Sequence, residues 1–237
     1  MCGIAGFVND MPIDVKCPVL QRMTDMIAHR GPDSEGHYID EHAALGHRRL
    51  SIIDLGGGQQ PIYNEDGSKV ITFNGEIYNY QTLREELIAA GHTFTTKSDT
   101  EVLLHGYEQW GVDLLQRVRG MFTFVIWDKN KQELFGARDH FGIKPFYYAK
   151  MNGTFMYASE IKSLLRHPDF VKELNAEALK PYMTFQYPAI GETFFKGVYK
   201  LPEGHYFTYR DGKMDIHRYY DEDFREGKQK LGELVNS

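Results

Sequence analysis

An α+β layered fold, and not a doubly wound parallel sheet, is what this 237-residue sequence predicts, and three observations carry the expectation. Short runs rich in β-branched and aromatic residues, bounded by Gly, Asn or Asp, recur along the chain. Helical periodicity is confined to separate stretches. Strands and helices come in runs instead of alternating strictly as βαβ. The 15 Tyr and 15 Phe supply the aromatic weight that suits pleated, half-buried surfaces.

Strands are expected at residues 4–8, 69–73, 121–127, 133–137, 146–149 and 155–158. Apolar spacing at Val19, Leu20, Met23, Met26 and Ile27, and again at Leu83, Leu87 and Ile88, predicts two helices. A third is expected over 100–110, with Val102, Leu103 and Tyr107 inward and Asp99 as N-cap. Shorter helices are expected at 160–166 and 176–183. Residues 198–220 read as strands broken at Pro202-Glu203-Gly204 and Arg210-Asp211-Gly212. From 221 to 237 the chain turns highly charged and reads as a linker or the start of a further unit.

Hydrophobic residues make up 42% and charged residues 25%, an ordinary globular composition that excludes a disordered or collagenous chain. The length corresponds to about 1.6 average domains. A net charge of −6 gives no support for electrostatic nucleic-acid binding. Only Cys2 and Cys17 are present and no C-x-x-C spacing occurs, so no disulfide framework is expected. The start lacks a basic leader, and no apolar run approaches the roughly 18 residues of a membrane span. A soluble, cytoplasmic protein is expected.

Position 2 carries the most chemistry. Removal of Met1 would make Cys2 the N-terminus, with thiol and α-amine on one residue. The amine has a pKa of about 8 and the thiol of about 8.5. The amine can therefore take the thiol proton, directly or through one water, and return it to a leaving group. Read alone, Cys2 is better described as the first residue of a buried strand.

Its company changes that reading. Cys2-Gly3-Ile4-Ala5-Gly6 is followed by His29-Arg30-Gly31-Pro32-Asp33 and by Gly46-His47-Arg48-Arg49-Leu50-Ser51-Ile52-Ile53-Asp54. Next come Gln60-Pro61, Phe73-Asn74-Gly75-Glu76-Ile77-Tyr78-Asn79 and Ser98-Asp99-Thr100-Glu101. Gly120-Met121-Phe122, Ala137-Arg138-Asp139, Gly142-Ile143-Lys144-Pro145 and Ala158-Ser159-Glu160 complete the series. In this order and at these spacings, the chain resembles the glutamine amidotransferase domain of glutamine-hydrolysing asparagine synthetases. These are class II amidotransferases of the N-terminal-nucleophile hydrolase type. The resemblance covers about residues 2–220 and implies a four-layer αββα sandwich of two antiparallel sheets with helices outside.

The resemblance also implies roles. Cys2 matches the nucleophile, and Asn74 and Gly75 match the oxyanion hole, through a side-chain amide and a backbone N–H. Such donors are worth roughly 3–4 kcal/mol each in acyl transfer. A glycine at 75 is expected because backbone must approach substrate there. Arg49 matches the holder of the glutamine α-carboxylate, for which a guanidinium fork is suited. Asp99 and the backbone around Glu76 match acceptors for the α-ammonium. Leu50, Ser51, Ile52 and Ile53 extend the implied substrate-binding set.

Other features point less far. Gly56-Gly57-Gly58 lacks the Lys-Ser/Thr of a phosphate loop and reads as a tight connection. His42 and His47 are five apart and no H-E-x-x-H occurs, so no metal site is expected. Arg30 and Asp33 read as an ion pair supporting the pocket. Arg138, Asp139, Lys144 and Glu160 match positions serving a domain interface or ammonia passage, or a structural role. Cys17 reads as a loop residue before a helix.

The resemblance implies L-glutamine as substrate, hydrolysed to glutamate and ammonia, with no cofactor or metal in this chain. It implies a C-terminal ATP-dependent synthetase domain, which would use ATP and Mg²⁺ with aspartate to make asparagine. No S-G-G-x-D-S pyrophosphate loop is present. The expected organisation is therefore an amidotransferase domain at 2–220 and a linker, or the start of that second domain, at 221–237. An amidotransferase domain feeding a sugar phosphate or phosphoribosyl pyrophosphate, and a non-catalytic module keeping the fold, are the competing readings. Neither nucleic acid nor membrane is an expected partner, and a homodimer is left open.

Overall fold

The computed structural model describes residues 2–51, 57–186 and 191–222. In chain order it runs β1 Gly3–Val8, α1 Ile13–Asp25, β2 Ser34–Ile39, β3 Ala43–Arg49, β4 Ile62–Tyr63, β5 Lys69–Ile77, α2 Tyr80–Ala89, α3 Asp99–Trp110, α4 Leu114–Arg117, β6 Gly120–Asp128 and β7 Glu133–Arg138. It continues with β8 Tyr147–Met151, β9 Thr154–Ala158, α5 Ile161–Leu164, α6 Ala176–Phe185, β10 Val198–Lys200, β11 His205–Arg210 and β12 Lys213–Arg218. The strands form two six-stranded sheets, ordered β10-β8-β9-β1-β3-β2 and β12-β11-β7-β6-β5-β4. Every neighbouring pair is antiparallel.

Side-chain alternation explains the layering. Successive strand residues point to opposite faces, and here both faces of the central strands are buried. Ile4, Leu45, Val70, Val125 and Trp127 meet Phe155, Tyr157 and Phe207 in the core between the sheets. Ala5, Phe7 and Ala44 point the other way, onto Val19, Leu20 and Met23 of α1. Ile71, Phe73, Phe122 and Phe124 pack under Leu83 and Leu87 of α2 and Val102 and Leu103 of α3. Helix, sheet, sheet and helix layers result, as the resemblance implied.

The same period of two aims the chemistry. Cys2 shares the parity of Ile4, His47 and Arg49 share that of Leu45, and Asn74 shares that of Val70. All four therefore project towards the gap between the sheets.

Several expectations are corrected. The expected strands are present, but β2, β3 and the two-residue β4 have no counterpart among them. Cys17 lies inside α1, exposed, and not in a loop. The helix begins at Ile13 and runs through Pro18, whose ring costs one backbone hydrogen bond near the helix start. The cap of α3 is Ser98, whose hydroxyl accepts from the Thr100 amide at 3.2 Å. Asp99 is the first helical residue, which leaves its carboxylate for other work. Among the described residues no helix is long and apolar enough to cross a membrane.

Candidate functional site

At one end of the gap between the sheets lies a cavity of about 240 Å³. That is below the roughly 300–1,000 Å³ typical of drug-sized ligands and suits a single free amino acid. Cys2, Arg49, Leu50, Asn74, Gly75, Glu76 and Asp99 all line it. Residues 2, 49, 74 and 99 come from four separate elements, so the fold brings together what the sequence scatters.

The thiol is tied to the end of β3. Cys2 Sγ lies 3.4 Å from the Leu50 amide, which can donate to it, and 3.5 Å from the Leu50 carbonyl, to which it can donate. The Cys2 carbonyl accepts from Arg30 Nε at 2.9 Å. Burial pushes the thiol pKa up, while the Leu50 N–H and the Arg49 charge pull it down and Asp99 adds to the rise. The resting group is therefore a neutral thiol that needs a base.

Opposite stands an amide whose donor is orphaned. Asn74 is 1% exposed, and its Nδ2 has no hydrogen-bond partner among the described residues. A buried unsatisfied donor costs about 1–3 kcal/mol, which an incoming oxygen would recover. The strand behind it is clamped from two sides. His47 Nε2 donates to the Phe73 carbonyl at 3.0 Å, and the Phe73 amide donates to Gln60 Oε1 at 2.6 Å. Burial pushes His47 down to about 3, so it is a neutral ring whose proton sits on Nε2.

Gly75 is required for a different reason from the one expected. A Cβ there would overlap the Met121 carbonyl oxygen and come within 2.7 Å of Phe122 Cα on β6. Crowding by the neighbouring strand, and not substrate approach alone, excludes a side chain. Gly75→Ala should cost about 1–3 kcal/mol of stability, the range for overpacking, and lower the midpoint of a denaturant melt. An unchanged midpoint would contradict this packing argument.

The charged groups are opposed. Arg49, 5% exposed, ends β3 on the cavity wall. Asp99 is 4% exposed, and its Oδ2 accepts from the Ile77 amide at 2.9 Å. Burial pushes its carboxyl up to about 6, against the Ile77 and Ser98 hydrogen bonds, with Glu76 adding repulsion. Because the folded pKa lies above the unfolded value of about 3.9, ionisation of Asp99 costs stability. Its favourable contribution is full below pH ~4 and is lost as pH rises through about 6. Asp99→Asn should therefore raise the melting temperature at pH 7.5 relative to the parent chain, with the gain shrinking towards pH 4. It should also weaken glutamine binding. Parent-chain binding should weaken as pH falls through about 6. A melting temperature lowered at pH 7.5 would mean that the carboxylate serves the fold and not a ligand.

Not every expected site residue is brought in. Ser51 does not line the cavity; its amide donates to Asp33 Oδ2 at 2.8 Å. Ile52, Ile53 and Gly56, with Met1 and residues 223–237, lie outside the described residues. Arg30 pairs with Glu160 at 3.1 Å and not with Asp33, so the expected ion pair is replaced by two separate tethers. Arg138 and Asp139 are structural. Arg138 donates to the carbonyls of Gly142, Lys144 and Leu201. Asp139 accepts from the amides of Phe122, Phe141, Ile143 and Lys144. This wiring brings Ile143 and Lys144 to the cavity rim. Burial and the Arg30 charge pull the Lys144 ammonium below its ordinary range. Gln60, Phe73, Ser98, Thr100 and Met121 also line the cavity and were not expected as site residues. All five stand inside motifs that carry the resemblance, and that membership was the signal for each.

Two facing antiparallel sheets between helix layers, opening at one end onto a residue-2 thiol, define a sandwich of the N-terminal-nucleophile hydrolase type. The family model described as "Glutamine amidotransferase domain" matches residues 1–220. The chain belongs to that family. It is 45% identical over 239 residues to asparagine synthetase [glutamine-hydrolyzing] 1 of Bacillus subtilis, covering 99% of this chain and 38% of that protein. Asparagine synthetase [glutamine-hydrolyzing] 2 of the same organism is 44% identical over 87% of this chain and 28% of its own length. Amidase chry2 of Gibberella zeae is 37% identical over 93% and 34%. The chain thus spans less than two-fifths of these relatives. Among solved structures, glutamine phosphoribosylpyrophosphate amidotransferase from B. subtilis superposes with a TM-score of 0.67, covering 93% of this chain and 50% of that one. At 17% identity that likeness speaks for the fold alone.

Proposed function

We propose that this chain is the glutamine-hydrolysing domain of an asparagine synthetase, using Cys2 as nucleophile after removal of Met1. The observation that carries the reading is the orphaned Asn74 Nδ2 donor, buried in the same cavity as the Cys2 thiol and the charged pair Arg49 and Asp99. Arg49 takes the glutamine α-carboxylate, and Asp99, with the backbone near Glu76, takes the α-ammonium. The α-amine of Cys2 accepts the thiol proton, and Sγ bonds to the side-chain amide carbon. Negative charge then develops on the amide oxygen, facing Asn74 Nδ2 and the Gly75 N–H. As the C–N bond breaks, the same amine returns the proton and ammonia leaves a thioester. Water, deprotonated by the amine, cleaves the thioester to glutamate and regenerates the thiol.

In the whole enzyme, a C-terminal domain would consume the ammonia with aspartate, ATP and Mg²⁺ in the cytoplasm. The resemblance to the B. subtilis synthetases over 99% and 87% of this chain supports that acceptor. The test is one purified chain with glutamine, assayed for glutamate, then repeated with aspartate, ATP and Mg²⁺ and assayed for asparagine. Glutamate without asparagine is the expected result. Asparagine formation would overturn the assignment of the ATP chemistry to a separate domain. Absence of glutamate from folded chain with a free Cys2 terminus would overturn the catalytic reading.

A further inference from the structure

On the outer helix layer four side chains converge that do not line the cavity and that the glutamine chemistry does not use. Glu65 comes from the turn between β4 and β5, His92 from the connection between α2 and α3, and His105 and Glu108 from one face of α3. Each offers one donor atom, and the four atoms lie within 4.8 Å of one another. We propose that Glu65, His92, His105 and Glu108 bind one divalent ion of the zinc type.

The spacing is that of a coordination shell. Zinc holds N and O donors at about 2.0–2.2 Å in a tetrahedron, so neighbouring donors stand roughly 3.3–3.5 Å apart. His92 Nδ1 is 3.3 Å from Glu65 Oε1, and His105 Nδ1 is 3.5 Å from Glu65 Oε2 and 2.9 Å from Glu108 Oε2. The two rings face each other, 5.0 Å between centroids. Small side-chain rotations convert this arrangement into a four-ligand site. Two imidazole nitrogens favour zinc-type ions over Mg²⁺ and Ca²⁺, which prefer all-oxygen shells.

The groups behind the donors are also in place. Ligating histidines and carboxylates are ordinarily oriented by outer partners, and three of the four are hydrogen-bonded to one here, while His105 faces a carboxylate. His92 Nε2 reaches Gln109 Oε1 at 3.2 Å. Asn64 Nδ2 donates to Glu108 Oε1 at 2.7 Å, and the Thr93 amide donates to Glu65 Oε1 at 3.1 Å. His105 is 1% exposed; its Nε2 has no hydrogen-bond partner among the described residues and lies 3.7 Å from Glu101 Oε1. Glu101 is itself fixed by the amides and hydroxyls of Thr95 and Thr96. Lys69 Nζ lies 3.7 Å from Glu108 Oε1, the oxygen that also accepts from Asn64, whereas His105 faces Oε2. A bound ion would tie the β4–β5 turn and the α2–α3 connection to α3, the helix whose first residue is Asp99.

The experiment is equilibrium dialysis of the purified chain against zinc chloride, beside the variant Glu65→Gln/His92→Ala. Neither residue lines the cavity, and both stand in connecting segments outside the strands and helices, so the variant should melt cooperatively and release glutamate like the parent. The parent should bind one more zinc per chain than the variant, whose affinity at this site should fall by well over 100-fold, since loss of an outer partner alone costs about 10–100-fold. Cobalt(II) should give the strong visible bands of four-coordination without a sulfur charge-transfer band, and zinc but not Mg²⁺ should raise the parent's melting temperature. Equal zinc on parent and variant would overturn the proposal. So would a sulfur charge-transfer band, which would place the ion on Cys2 or Cys17.

Discussion

Replacing Cys2 by alanine is expected to abolish glutamine hydrolysis while glutamine binding and the thermal transition persist. The side chain's hydrogen bonds among the described residues go only to Leu50, and the residue is half-buried, so little packing is lost. Arg49 and Asp99 remain to hold the amino acid, and without sulfur no thioester forms. Glutamate release and equilibrium binding of glutamine, measured on one preparation, separate the two effects. Residual turnover above a boiled control would place the nucleophile elsewhere. Loss of binding together with activity would mean that the thiol shapes the pocket and does not only react in it.

Asn74→Ala carries the second largest expected effect, a fall in kcat of about 10²–10³-fold with KM nearly unchanged, the usual loss for one oxyanion donor. The argument has an unusual second half. Asn74 Nδ2 is buried and has no partner among the described residues, a state that costs the resting protein about 1–3 kcal/mol. Removing it should leave the melting temperature equal or higher even as turnover collapses. A rise in KM alone would assign Asn74 to substrate binding, and a lowered melting temperature would make it a structural residue. Asp99 shows the same pattern, an ionised carboxylate held in a site that resists it. Two destabilised groups facing one cavity mark where function is favoured over stability.

Much of this was legible because the strongest signals are local. β1, β5, β6 and β7 are aromatic and β-branched runs with clear boundaries, and their existence followed from composition. β2 and β3 did not. Ser34–Ile39 has only the adjacent Tyr38 and Ile39 as large apolar residues, and Ala43–Arg49 is buried at nearly every position, so neither shows the alternation of a half-buried strand. Cys17 was misplaced because Pro18 reads as a break in sequence, whereas α1 extends from Ile13 through it. Ser98 and Asp99 are both good caps, and only the coordinates assign the cap to the serine and free the aspartate. Of the site, Cys2, Arg49, Asn74, Gly75 and Asp99 were readable through the family resemblance that their motifs carry. Lys144 and Ile143 reach the rim because Asp139 accepts from three amides of their loop and from the Phe122 amide of β6, an arrangement with no spacing signature. The cluster of Glu65, His92, His105 and Glu108 is drawn from three segments, so no metal motif announces it.

The central claim is that residue 2 supplies both nucleophile and base. It is tested most directly by trapping the purified chain with a glutamine-like diazoketone, which alkylates a reactive thiol in a glutamine site, and mapping the product by mass spectrometry. The expected result is one adduct per chain, on Cys2 of a polypeptide that lacks Met1, with labelling suppressed by excess glutamine and reduced in Arg49→Ala and Asp99→Asn. Stoichiometric, glutamine-protected labelling on chains that retain Met1, or labelling at Cys17 instead, would contradict it.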